Sequence, residues 1–315
     1  MMEHFFTPYT SLSRLPGERV AVLAPHPDDE VFGCGATLAA MAAAGAEIRV
    51  VVVSGGGTFG EGAALTRRRR EESEAAAAVL GYPAPQFWGL ADGELAYSAA
   101  MMPRISAWLA LYQPEVVLAP SPDEMHRDHR AVAEAALAVC ARRGGPALAF
   151  YEVGQPLTPN RLVDITPHLA SKRAAMSCFT SQLAMQDYDR HIEGLNAFRT
   201  YTLAKGVLAA EAFHWLSPQE IAPFIAARQP MRLSRVLHEA ERTVLEAEQI
   251  AEQQRAAQKA LYAENESQQA ALSELRQRLA ACENAHRALL DSRSVRLTRG
   301  MRWLARRFRR CRGLQ

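Results

Sequence analysis

The sequence predicts an α/β fold, a Rossmann-like and mostly parallel sheet flanked by helices, followed by a long C-terminal helix or coiled coil. Three observations predict it. Residues 20–153 alternate short apolar runs with amphipathic stretches, the pattern of successive strand and helix units. The first apolar run, Val20 to Ala24, leads straight into His26, Asp28, Asp29 and Glu30, and the carboxyl end of a strand is where open α/β sheets bind ligands. From Leu237 the alternation gives way to a ladder of residues spaced three and four apart, without proline or glycine.

Each element follows from its local pattern. Val20 to Ala24 reads as a buried strand, and Ala36 to Ala44 as the helix after an acidic loop. Ile48 to Val53 is a second strand, ending in the glycine-rich loop Ser54 to Gly62. Arg67 to Leu80 reads as a helix and Pro85 to Trp88 as a short strand before the Asp92-Gly93 turn. Met102 to Tyr112 is a helix, Val116 to Ala119 a strand, Val132 to Ala141 a helix and Ala147 to Glu152 a strand. Arg161 to Ile165 adds one more strand; Pro167 to Cys178 and Gln186 to Ala210 read as helical.

The chain has 315 residues, 49 % of them hydrophobic, enough for one large domain and an extension. Its net charge of +2 hides an asymmetry. Residues 1–232 carry 20 basic and 24 acidic side chains, residues 233–291 carry 7 and 10, and residues 292–315 carry 9 basic and none acidic. We therefore divide the chain into a domain over 1–230, a coiled coil over 231–291 and a basic amphipathic tail over 292–315. The ladder runs from Leu237 through Val244, Ala251, Leu261, Leu272, Leu275, Leu279 and Cys282 to Leu289, polar in its middle, and predicts a homo-oligomer through the coil. In the tail, Leu297, Met301, Leu304 and Phe308 share one helical face, and Arg299, Arg302, Arg306 and Arg309 share another. A basic amphipathic helix predicts peripheral contact with an anionic membrane. An acidic body argues against nucleic acid as the partner. The five cysteines form no CxxC pair, which argues for a reducing compartment. No run approaches 18 apolar residues and no signal peptide is read, so the expected location is cytoplasmic, with the tail at the inner face of the membrane.

Chemistry concentrates in two blocks. Three carboxylates and an imidazole at one strand end repel one another unless a cation or hydrogen bonds offset the charge. A hundred residues on, the run Val116 to Ala119 leads into Pro120-Ser-Pro-Asp-Glu-Met-His126-Arg-Asp128-His129. His26, an aspartate of the first block and His129 would make a three-ligand site with open positions, as catalytic zinc requires. Spacing alone leaves open whether Asp28 or Asp29 is that aspartate.

These blocks resemble the PIG-L/LmbE-type zinc-dependent N-acetylglucosaminyl deacetylases. The resemblance runs from about residue 18 to about 215 and includes Arg69-x-x-Glu72, Asp92-Gly93, Asp164-Ile165, Lys172, Ser181-Gln182 and Ala210 to Phe213. Pro25 departs from the small residue the family often has there. The resemblance implies zinc on His26, Asp29 and His129, Asp28 as general base, and His126 as the group that stabilises or protonates the tetrahedral intermediate. Asp128 would hold the His126 ring. Arg69 and Asp92 are candidate substrate contacts.

Plainer readings stand beside these. Asp28 or Asp29 could simply cap a helix, but capping needs one carboxylate. Gly33-Cys-Gly35 hints at a dinucleotide loop, yet Leu38 stands where the fingerprint needs Gly or Ala, and carboxylates would repel a pyrophosphate. Arg67 to Arg70 could be a solvated helix start. There the positive charge opposes the macrodipole, which makes one arginine a candidate contact. Asp92 could serve only its Asp-Gly turn. Lys172 and Glu211 read as structural. The sequence thus leads to a zinc-dependent hydrolase of a linear amide C–N bond, acting on an N-acetylated amino sugar in cell-surface polysaccharide biosynthesis. The alternatives are a zinc amidohydrolase on a thiol-cofactor precursor or other amide, and a catalytically inactive scaffold.

Overall fold

The computed structural model describes residues 7–55, 63–93, 95, 101–142, 144–228 and most of 254–311. Seven strands form one sheet in the order β3-β2-β1-β4-β5-β7-β6. The strands are β1 (Arg19–Ala24), β2 (Glu47–Ser54), β3 (Gln86–Leu90), β4 (Val116–Pro120), β5 (Ala147–Tyr151), β6 (Arg161–Asp164) and β7 (Ala210–Leu216). The first five pair in parallel, while β7 runs antiparallel to both β5 and β6. The sheet order reverses between β1 and β4, so their carboxyl ends flank the crevice where such sheets bind ligands.

Helices cover both faces, which is why the central strands are continuous apolar runs rather than alternating ones. Val20 and Val22 point to one face, with α1 (Asp29–Ala43), α2 (Ala63–Leu80) and α5 (Leu169–Met176). Ala21 and Leu23 point to the other, with α3 (Met101–Tyr112), α4 (Arg127–Cys140) and α8 (Pro218–Arg228). The short α6 (Thr180–Leu183) and α7 (Tyr188–Phe198) complete the domain.

Three elements differ from the sequence expectation. Helix α1 begins at Asp29, so Asp29 and Glu30 belong to its first turn and Gly33 to Gly35 lie inside it. It breaks at Cys34 (φ −140°, ψ 17°), and the Glu211 carboxylate accepts from Ala36 N and Thr37 N at 3.0 and 2.8 Å, capping the second half. Gly33 is required by packing: a Cβ there would stand 2.3 Å from Tyr151 Cδ2. Helix α2 begins at Ala63, which puts Arg67 to Arg70 a full turn inside it, so the macrodipole no longer bears on them. The helix expected over Gln186 to Ala210 ends at Phe198, and β7 follows, a strand whose apolar run was masked by Glu211 and His214.

The buried Glu211 has a structural partner, as its reading required. Lys172 Nζ donates to Glu211 Oε1 at 2.6 Å, to Phe32 O at 2.9 Å and to Asn196 Oδ1 at 3.0 Å, with both charges fully buried. Lys172→Met should therefore cost about 3–5 kcal/mol in denaturant unfolding, because it leaves Glu211 charged and uncompensated. A loss below 1 kcal/mol would mean that the two α1 amides suffice for Glu211.

The chain divides into two units, the second beginning at Glu252. The boundary expected near residue 230 lies outside the described residues, as do the loop over 56–62 and the early coil. In the second unit, residues 267–285 form a helix, α9, on which Leu272, Leu275 and Leu279 are exposed. Helix α10 (Arg293–Cys311) exposes Leu297, Met301, Trp303 and Leu304, and Arg307 lies over the Trp303 ring. Among the described residues no helix is long and apolar enough to cross a membrane.

Candidate active site

The two loops at the switch point bring both chemical blocks together. After β1 the chain turns through Asp28, whose φ of 138° is a left-handed value that only glycine adopts without strain. Such backbone costs on the order of 1–3 kcal/mol and persists where surrounding structure over-determines it. The turn starts α1 immediately and aims Asp29 back at His26, whose backbone N–H donates to Asp29 Oδ2 at 2.9 Å. After β4, His126 caps α4: its Nδ1 accepts from Asp128 N at 3.2 Å. His129 then follows within the first turn, buried against the first block.

Three ligating atoms converge. His26 Nδ1 and His129 Nε2 each lie 3.2 Å from Asp29 Oδ2, and 3.3 Å from one another. Zinc bonds of about 2.0–2.1 Å in a tetrahedron require ligand atoms about 3.3–3.4 Å apart, so these edges fit one ion. Among the described residues two other groupings lie within 4.8 Å, His26 with His126 and His129, and His26 with Asp92 and Asp128. The first would use the exposed His126, whose Nδ1 is already committed. The second uses the far side of the His26 ring. The triad with Asp29 has all three edges at 3.2–3.3 Å and leaves those groups in supporting positions. Of the two aspartates that spacing could not separate, Asp29 is the one in the triad.

The surrounding charges favour a cation. Burial pushes the Asp29 carboxyl up, but His129 and His26 outweigh it and hold Asp29 far below the usual carboxylate range. Burial pushes His129 down, and Asp29 outweighs it, raising the imidazole to about 9. His26 is likewise raised, since Asp128, Asp29 and Asp92 overcome its burial. Asp28, 8 % exposed, is pushed well up by burial and then by the Asp29 charge, against the opposing pull of His26. The carboxyl of Glu30, which accepts from Ser73 Oγ at 3.0 Å, rises to about 7 through burial. Carboxylates this dense in a buried crevice are balanced by imidazoles and Arg69, an arrangement into which a divalent ion would fit.

The supporting shell departs from expectation in two places. The Asp128 carboxylate does not hold His126. It accepts from Gly93 N at 2.7 Å and Leu95 N at 3.1 Å and meets His26 Nε2 at 3.2 Å, so it is the Asp128 amide that orients the His126 ring. Asp92 faces His26 as well, Oδ1 to Nε2 at 2.9 Å, with Arg69 Nη1 4.0 Å from its Oδ2. The turn reading of Asp92 also holds: Gly93 has a φ of 75°, and its amide reaches Asp128 because of that turn. Of the four consecutive arginines only Arg69 is buried; the exposed Arg68 reaches the buried Glu72, and Arg70 pairs with Glu74 at the surface. Glu72 also accepts from Thr180 Oγ1 and Ser181 N, which ties α2 to α6 and gives Arg69-x-x-Glu72 and Ser181 a common structural cause. His126 is exposed and packs edge-on against His26, with ring centroids 4.8 Å apart. Burial, and then the neighbouring imidazoles, lower its pKa, and an Nδ1 that accepts leaves the proton of the neutral ring on Nε2.

Sequence comparison bears on the same segment. Residues 21–140 match the PIG-L family model, described as GlcNAc-PI de-N-acetylase, and this span contains every residue of the triad and its surroundings. Residues 21–140 are a PIG-L domain. Solved structures extend the likeness to 63–65 % of the chain. The N,N′-diacetylchitobiose deacetylase of Pyrococcus horikoshii is 26 % identical, with a TM-score of 0.58, over 65 % of this chain and 85 % of that one. A conserved protein of Thermus thermophilus is 28 % identical, TM-score 0.55, over 63 % and 94 %. GalB, the 4-carboxy-2-hydroxymuconate hydratase of Pseudomonas putida, is 25 % identical, TM-score 0.55, over 63 % and 95 %. A search of curated protein sequences finds no match. The PIG-L domain makes the protein a hydrolase of amide C–N bonds, with the α/β fold of the PIG-L deacetylases. Glu124, buried behind His129, is the residue that sequence reasoning passed over.

Proposed function

We propose that this PIG-L domain removes the acetyl group from an N-acetylated amino sugar of the GlcNAc type, with zinc held by His26, Asp29 and His129. The observation that carries the reading is the convergence of those three ligating atoms at 3.2–3.3 Å inside a PIG-L domain. Zinc bound there supplies Lewis acidity, acidifying water and polarising the acetamide carbonyl. The chain's own residues do the rest. Asp28 and Glu30 are the first-block carboxyls outside the triad; Glu30 is fully buried on Ser73, and Asp28 takes the proton from the attacking water. His126 presents Nε2–H to the oxyanion, and the proton that Asp28 took from water goes on to the leaving amine. Asp128 and Asp92 fix the His26 ring from its far side, as carboxylates do for metal-bound histidines. Arg69, buried beside Asp92, is the candidate contact for the sugar hydroxyls. The products are acetate and a free amino sugar.

The diacetylchitobiose deacetylase supports a GlcNAc-type substrate; the hydratase shows that a similar scaffold also serves addition of water to other compounds. An amide of a thiol-cofactor precursor is thus the rival substrate, and acetate release from a panel of N-acetyl sugars separates the two. For the extension we infer self-association through α9, whose Leu272, Leu275 and Leu279 are 51–63 % exposed on a single chain, and membrane contact through α10. A lipid-linked or nucleotide-linked glycan precursor at the inner face of the membrane fits that arrangement.

The metal assignment has a direct test. Purified protein should hold about one zinc per chain, and His129→Ala should lose most of it, measured by elemental analysis. Full zinc content in His129→Ala would overturn the ligand set.

A further inference from the structure

His129 poses a tautomer problem. Its Nε2 faces Asp29 Oδ2 and His26 Nδ1, so as a ligand it must offer its lone pair there and carry its proton on Nδ1. That Nδ1 is buried and has no hydrogen-bond partner within normal distance. The Glu124 carboxylate faces it, 3.6 Å away at Oε2 and itself 1 % exposed.

Glu124 is held firmly from behind. Its Oε1 accepts from Val153 N at 2.8 Å, Gly154 N at 3.0 Å and Gln155 N at 3.3 Å, and Oε2 lies 3.1 Å from Gly154 N. Arg130 Nη1 donates to the Glu124 and Met125 carbonyls at 2.7 Å each, fixing the loop that carries it. The 153–155 segment is anchored in turn, since Glu152 pairs with Arg199 and accepts from Leu157 N at 2.8 Å. A carboxylate pinned by three amides, with one edge left toward a buried imidazole, is built to receive a proton-bearing nitrogen.

We propose that Glu124 is a positioning residue for the metal site: it accepts Nδ1–H of His129, selects the tautomer whose Nε2 can ligate, and links the ring to the loop after β5. This rests on the zinc reading above. Nothing in it requires Glu124 to touch substrate.

The test uses full-length Glu124→Gln and Glu124→Ala. In Glu124→Gln the amide oxygen can keep the place of Oε1 and its three backbone donors, while the NH₂ replaces Oε2 toward His129. A donor there favours the wrong tautomer. Glu124→Gln should therefore bind zinc about 10–100-fold more weakly in chelator competition, the scale of losing such a partner. The melting temperature of its metal-stripped form should match that of metal-stripped wild type. Glu124→Ala, which also frees the loop, should lower both. Zinc affinity in Glu124→Gln equal to wild type would overturn the proposal, and so would a loss of affinity matched by an equal loss of metal-free stability in that variant, since a loop clamp alone would produce it. Wild-type protein that takes up no zinc would overturn the zinc reading and this proposal together, whereas zinc-binding wild type with an unaffected Glu124→Gln overturns this proposal alone.

Discussion

Asp28→Asn should keep its zinc and lose deacetylation by roughly 10²–10⁴-fold, the scale of removing a general base. Asparagine matches aspartate in size, so the fold has no reason to fail, and the amide cannot take a proton from water. The geometry makes Asp28 the candidate. It stands between His26 and Asp29, its carboxyl is outside the triad, and it is 8 % exposed on a backbone held at a φ of 138°. Asparagine tolerates left-handed backbone as well as aspartate does, so the strain is conserved in the variant. Turnover and zinc content measured on the same preparation decide the matter. Near-normal turnover with full zinc would remove Asp28 from the role of base. Lost zinc would mean that Asp28, not Asp29, is a ligand.

Why the site could be read so far from sequence is a matter of where its residues lie. His26 to Glu30 follow β1 directly and His126 to His129 follow β4 after the loop Ser121 to Met125, and short apolar runs, Val20 to Ala24 and Val116 to Ala119, place those strand ends. Their meeting across the β1–β4 switch point follows from right-handed parallel connections. Spacing could not choose between Asp28 and Asp29, and only the resemblance implied Asp29; which carboxyl faces His26 and His129 depends on one backbone turn at Asp28 that no residue pattern announces. The partner of Asp128 was equally hidden. Two residues from His126 in sequence, its carboxylate turns instead to His26 and to the amides of Gly93 and Leu95, contacts made across the fold.

Glu124 was invisible for a similar reason. In a loop with two prolines it reads as one more polar residue, and only burial beside His129 gives it a task. Strand β7 was missed because Glu211 and His214 interrupt its hydrophobicity. Glu211 is buried there only because Lys172, from α5, and two amides of α1 meet it. Single-residue polarity misleads wherever a buried charge finds its partner far away in sequence.

A chain truncated after Arg232 should remain folded, monomeric and active on a short water-soluble substrate, but should no longer sediment with anionic vesicles. The domain is complete without the extension: about 63–65 % of this chain covers 85–95 % of the diacetylchitobiose deacetylase, the Thermus protein and the hydratase, and α8 ends at Arg228. The extension carries the charge and apolar pattern on which the membrane proposal rests. Residues 292–315 hold nine arginines and no acid, and α10 exposes Leu297, Met301 and Leu304 along one side with Trp303 under Arg307. Each arginine near an anionic surface contributes on the order of 1 kcal/mol, screened beyond a Debye length of about 8 Å at physiological salt. The apolar strip adds burial at the headgroup boundary, while a single short helix binds reversibly. Chains joined through α9 would engage several tails at once and so multiply the attachment without new contacts. The full chain should therefore pellet with phosphatidylserine-containing vesicles and come off in high salt, and neutral vesicles should hold it far less. Equal sedimentation of the full and truncated forms would remove the membrane reading and leave α10 as a docking helix for another macromolecule.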